Sequence, residues 1–151
     1  RSKFEMSDLV QEVQKSLLQD CEKRDVVWQI DPLPVVYGDR SLLKLVWLNL
    51  LGNALKFTLK KPQVQIEIGY YEEAEELVFY VRDNGVGFDM KYSHKLFGVF
   101  QRLHGSADFP GTGIGLANLR RIIQRHNGRT WAEGEVGKGA TFYFSLPTME
   151  S

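Results

Sequence analysis

Asn49, Asn53 and Lys56 recur at helical spacing, Asp83 opens Asp83-Asn84-Gly85-Val86-Gly87-Phe88, and Gly111, Gly113 and Gly115 alternate with Thr112 and Ile114 ahead of Leu116. Carboxamides and an ammonium on one helix face can share a hydrated divalent cation and phosphate oxygens. A carboxylate beside glycines can meet a flat ligand closely and accept an exocyclic amino proton, which favours adenine over guanine with its keto oxygen. Glycines at a helix start leave amides exposed where the helix dipole favours phosphate. In this order they are the parts of a site for ATP and Mg2+.

Each part also has a plainer reading. Two asparagines and a lysine fit the solvated side of an amphipathic helix, and Asp-Asn-Gly is a common turn. The alternating glycines lack the dinucleotide-binding spacing, and no Gly-x-x-x-x-Gly-Lys-Ser/Thr loop occurs. The nucleotide reading therefore rests on the order and separation of the three segments.

The elements that must position these residues follow from periodicity. Residues 4–24 repeat apolar side chains as one helical face, with Ser7 or Asp8 available as N-cap. Residues 26–30 read as a strand ended by Asp31-Pro32-Leu33-Pro34, and Gly38-Asp39 caps a helix over 40–57 that buries Leu42, Leu43, Val46, Trp47, Leu50, Leu51 and Leu55. Residues 64–71 and 77–83 alternate as an antiparallel hairpin around the acidic turn 72–76. Residues 90–109 carry no clear period, apart from a helical turn over 95–100, and form a candidate lid. A helix over 112–126 stops at Asn127-Gly128, and a last hairpin pairs 129–133 with 140–146 through Val136-Gly137-Lys138-Gly139. The order implies a two-layer α/β sandwich, one mixed sheet of about five strands with helices on one face.

A chain of 151 residues, 43% hydrophobic and 25% charged, suits one globular domain. Nineteen basic residues balance nineteen acidic ones, which removes the broad positive footprint of a nucleic-acid binder. Cys21 is the only cysteine, so neither an internal disulfide nor a thiolate metal cluster is expected, and a cytoplasmic setting fits. The apolar run 45–51 is interrupted by Asn49 and far shorter than a membrane span, so no membrane insertion is expected. Arg1-Ser2-Lys3-Phe4-Glu5 lacks a signal peptide's apolar core and begins abruptly, as a piece of a longer chain would.

The asparagine-bearing helix, Asp83-Asn84-Gly85-Val86-Gly87-Phe88, Leu96-Phe97-Gly98-Val99-Phe100-Gln101-Arg102 and Gly111-Thr112-Gly113-Ile114-Gly115-Leu116 resemble the N, G1, F and G2 boxes of sensor histidine kinases. The match covers about residues 26–147, and Phe100-Gln101-Arg102-Leu103-His104 with 125–133 is similar to phytochrome-like members. The resemblance implies the Bergerat ATP-binding fold, with Asn53 as magnesium ligand, Lys56 and Arg102 at phosphates, Asp83 at adenine and Thr141 near the base. Phe57 stands where many relatives carry tyrosine, keeping a ring but losing its hydroxyl, and Leu45 replaces a commonly polar residue.

The family's accepting histidine is expected on an upstream helix, yet His94, His104 and His126 all lie inside the ATP-binding region. Residues 1–25 thus read as a helix continuing from a dimerisation domain, 26–148 as the ATP-binding catalytic domain and 149–151 as a tail. The implied partners are that histidine-containing dimerisation domain and a downstream response regulator. Related hydrolases of the gyrase, chaperone and mismatch-repair type place a glutamate base where this chain has Asn49, which cannot accept a proton from water. A non-catalytic ATP-sensing module is the remaining alternative.

Overall fold

The structure, a computed structural model, describes residues 1–18, 24–90 and 112–148. Among these residues, seven strands and three helices follow in the order β1 (Ser2–Glu5), α1 (Met6–Leu17), β2 (Asp25–Ile30), β3 (Val35–Gly38), α2 (Arg40–Phe57), β4 (Gln63–Glu73), β5 (Glu76–Asp83), α3 (Thr112–Arg125), β6 (Thr130–Glu135) and β7 (Gly139–Pro147). Five strands form one mixed sheet in the order β2-β4-β5-β7-β6, and β1 pairs with β3 in a separate ribbon. This is the expected α/β sandwich.

Only β2 and β4 are parallel, with Val26 opposite Val64 and Ile30 opposite Ile68. Parallel neighbours need a crossover, and α2 lies within theirs. The other pairs are antiparallel, and β5 and β7 set the inner face of the sheet: Leu77, Phe79, Val81 and Asp83 stand opposite Leu146, Phe144, Phe142 and Ala140. Trp47 of α2 meets Phe79 and Phe144 edge-on, with ring centroids 6.1 and 5.2 Å away. Its indole N–H donates to the Met6 sulfur at 3.2 Å, bringing α1 into the same core. Met6, Leu9, Val10 and Val13 of α1 are fully buried there, and Glu12 adds ion pairs from α1 to Arg40 and Lys44 of α2.

Several local expectations change. The first helix is shorter than 4–24, and its N-cap is Glu5 with no side-chain bond, neither Ser7 nor Asp8. Ser7 is engaged elsewhere: its Oγ accepts the Leu33 N–H at 2.7 Å and donates to the Leu33 carbonyl. Residues 2–5 and 35–38 are strands that periodicity did not reveal, because four residues hold too few alternations to show a period. The β4–β5 turn narrows to Ala74-Glu75, both with positive φ, the hairpin geometry that matches strand twist. Leu42 is only partly buried, and the last helix ends at Arg125, with Asn127 taking positive φ beyond it.

The face of the sheet away from the helices carries its own side-chain network. Trp131 stacks on Tyr143 with centroids 5.0 Å apart, and the Arg129 guanidinium lies 4.3 Å from the Trp131 ring. Glu76 takes three hydrogen-bond contacts from Arg129 and one from Ser145, which hold its carboxyl below the ordinary glutamate value.

Candidate nucleotide site

α2 is fixed at both ends by groups distant in sequence. At its start the Asp39 carboxylate accepts the Leu42 N–H at 3.0 Å, as an N-cap should. The Asp39 N–H donates to Nε2 of buried His126, whose Nδ1 lies 2.9 Å from the Ile122 carbonyl. A carbonyl can only accept, so Nδ1 carries the proton and Nε2 the lone pair. His126 therefore has a structural role. At the other end Arg24 donates to the carbonyls of Leu55 and Thr58 and to the Thr58 hydroxyl, placing a cation at the negative end of the helix dipole.

Between these anchors the three polar residues of α2 differ in exposure. Asn53 is 6% exposed, Asn49 is half-buried and Lys56 is exposed in the last turn. The Asn53 amide nitrogen has no hydrogen-bond partner among the described residues, although such a buried donor ordinarily costs about 1–3 kcal/mol. Asn49 faces the start of α3: a Cβ on Gly115 would sit 3.0 Å from its Oδ1, so glycine lets the two helices approach there. Leu116 follows, buried in the core.

Asp83 is the last residue of the inward-facing row of β5 and is 5% exposed. Its Oδ1 accepts the Gly85 N–H at 2.8 Å, closing the turn on itself. Burial pushes its carboxyl up to about 6, while the Gly85 and Ala140 amides pull in the other direction. The turn is clamped from two sides. Val86 N–H donates to the carbonyl of Phe57, whose buried side chain ends α2, and Gly137 N–H donates to the Val86 carbonyl at 2.7 Å. Gly85 and Gly87 permit this: a Cβ on Gly85 would fall 2.5 Å from the Phe57 carbonyl oxygen, and Gly87 has φ +68°.

The structure thus brings Asn49 to Gly115, and the turn from Asp83 to Val86 to the C-terminal end of the helix bearing Asn53, Lys56 and Phe57, with Gly87 set against Glu135 and Gly139. It does not bring Thr141 to Asp83. Thr141 is opposite Arg82 on the other face, where its hydroxyl accepts from the Arg82 Nε at 3.2 Å, and Ala140 occupies the register position facing Asp83. Strand period two imposes this, since neighbours along β7 point to opposite faces. Sequence reasoning missed Ala140 and Arg24; it read Val136-Gly137-Lys138-Gly139 as the closure of the last hairpin but not its contact with Val86. Arg102, Gly111, His94, His104 and all of the candidate lid after Met90 lie outside the described residues, as do the side chains at 112–114.

Comparison with known proteins agrees with this arrangement. Residues 38–150 match the family model described as histidine kinase-, DNA gyrase B-, and HSP90-like ATPase. The chain is 45% identical over 117 residues to cyanobacterial phytochrome A of Nostoc sp., covering 78% of this chain and 15% of that protein. It is 37% identical over 144 residues to the phytochrome-like protein Cph1 of Synechocystis sp., covering 95% and 19%. It therefore spans less than a fifth of the length of either relative. Among solved structures, the catalytic domain of histidine kinase ThkA superposes with TM-score 0.79 at 26% identity, covering 97% of both chains. Full-length ShkA in complex with AMPPNP gives TM-score 0.79 at 25% identity over 97% of this chain and 30% of that one.

Proposed function

Because the chain belongs to the histidine kinase-, DNA gyrase B-, and HSP90-like ATPase family, we propose that it binds ATP with Mg2+ and donates the γ-phosphoryl group to a histidine on a separate dimerisation domain. The observation that carries the nucleotide reading is the Asn53 amide nitrogen, buried without a partner among the described residues on the helix whose end supports the Asp83 turn. A ligand oxygen would satisfy it. The carboxamide oxygen of the same side chain suits the cation, since Mg2+ keeps most of its waters and takes few protein oxygens. When bound, Mg2+ neutralises phosphate charge.

The residues divide the work by chemistry. Asn53, assisted by Asn49, would hold the cation, Lys56 supplies an exposed ammonium to phosphate oxygens, and the Gly111-Thr112-Gly113-Ile114-Gly115-Leu116 motif, whose last five residues open α3, offers amides to them. Phe57 lines the base, and Asp83, ahead of Gly85 and Gly87, accepts a hydrogen bond from the adenine amino group. Arg102 approaches the γ-phosphate, a role supported by its motif alone. Catalysis is then positioning plus charge neutralisation, with the accepting imidazole as nucleophile. Asn49 favours transfer over hydrolysis because a carboxamide is no general base. A response regulator downstream and a cytoplasmic setting complete the proposal; no helix among the described residues is long and apolar enough to cross a membrane.

Calorimetry tests the nucleotide step. ATP should bind with Mg2+ and more tightly than GTP, and Asn53→Ala should abolish the Mg2+-dependent part. Equal affinity for GTP would remove the adenine assignment, and Mg2+-dependence surviving Asn53→Ala would remove the ligand assignment.

A further inference from the structure

Residues 86–90 leave the Asp83 turn beside β6, the end strand of the five-stranded sheet. Gly87 packs so tightly there that a Cβ would fall 2.0 Å from the Glu135 carbonyl oxygen. Buried Phe88 follows, its ring so close over Gly134 that a Cβ on that glycine would stand 2.6 Å away. The last contact in the series is polar: the Gly134 N–H donates to the Met90 sulfur at 3.2 Å. An end strand has a neighbour on one side only, and its outward amides need water or another acceptor. A thioether fills that place here.

Met90 is 46% exposed, so it contributes little to the core. Its sulfur is a weak acceptor on a flexible stem, which makes the contact directional more than cohesive. We infer that Met90 is a positioning residue for nucleotide binding: by taking the Gly134 amide it holds residues 83–88 against β6 and so fixes where the Asp83 carboxylate stands. The role rests on the nucleotide reading of that turn. Nothing in the motif suggested it, because Met90 and Gly134 lie 44 residues apart.

Two substitutions separate the acceptor from the bulk. Met90→Leu keeps an apolar side chain of similar volume without an acceptor, and Met90→Gln restores an oxygen at similar reach. In amide spectra of the nucleotide-free 151-residue chain, Met90→Leu should shift and deprotect Gly134 and move the Asp83, Gly85 and Gly87 signals, and Met90→Gln should return them. Calorimetry should find ATP bound about fivefold more weakly by Met90→Leu, the scale of one net hydrogen bond, with recovery in Met90→Gln and an unchanged urea midpoint. Unmoved 83–87 signals in Met90→Leu overturn the positioning role whatever ATP does. Unchanged ATP affinity, with wild type binding normally, overturns its link to the nucleotide. Failure of wild type to bind ATP counts against the proposed function instead, and the amide spectra still decide what Met90 positions.

Discussion

Asp83 continues a row whose other members are Leu77, Phe79 and Val81, so a carboxylate sits where packing alone would choose a hydrocarbon. Its carboxyl is raised from 3.8 to about 6 by burial, so the folded state binds the proton more tightly than the unfolded chain. Stability from this group is then full below the unfolded value and is lost as pH rises through the folded one. The loss amounts to at most about 3 kcal/mol at neutral pH. Asp83→Asn should accordingly raise the urea midpoint at pH 7 and leave it nearly unchanged near pH 4, while weakening ATP through loss of the charged acceptor. Urea titrations at both pH values, paired with calorimetry, check the two arms. If Asp83→Asn destabilises the fold at pH 7, the burial cost is not what the residue bears. ATP affinity should also fall as pH drops through about 6; the ligand's own phosphate titration is common to both proteins, so only the excess fall in wild type belongs to Asp83.

At the scale of elements, α2 was legible in the sequence because its apolar period runs for 18 residues and its cap, Asp39, is adjacent. What anchors it was not legible. Arg24 reaches the α2 carbonyls across 31 residues, and His126 reaches the Asp39 amide across 87. Periodicity has no access to such contacts, and a lone histidine near a helix end has several ordinary explanations. The β1–β3 ribbon escaped for a related reason, its pairing being set by tertiary register and not by a local pattern. His126→Ala should leave the Asp39 N–H without its acceptor and cost about 1–3 kcal/mol. Urea unfolding measures the loss, and faster hydrogen exchange at Asp39 and Leu42 should locate it at the start of α2. An unchanged midpoint would show that the imidazole does not brace the two helices that carry the site.

For the whole molecule, the sandwich sets how much chemistry this chain can do alone. Its helical layer and sheet close around one core that includes α1, so Met6 to Val13 belong to the packed fold, whatever lies upstream. Motif order made the candidate site legible in the sequence because backbone-dependent parts, a helix face and the glycine turn after Asp83, show in local patterns; the face of Thr141 did not, since it depends on cross-strand register with Arg82. The proposed reaction needs a nucleophile from elsewhere. His126 has both ring nitrogens committed to backbone groups and is 3% exposed, which disqualifies it as an acceptor in the folded state. The chain by itself should therefore bind ATP without retaining label on His126 and without rapid hydrolysis, because Asn49 provides no base. Adding a cognate histidine-containing dimerisation domain in trans should give an acid-labile, base-stable phosphoprotein on that partner, slowly, since an untethered acceptor lacks the effective concentration of a linked one. Labelled ATP followed by acid and base treatment reads the outcome. Fast hydrolysis by the chain alone that disappears in Asn53→Ala would place it with the hydrolases of its family, and nucleotide binding with no transfer to any supplied acceptor would make it an ATP-responsive module.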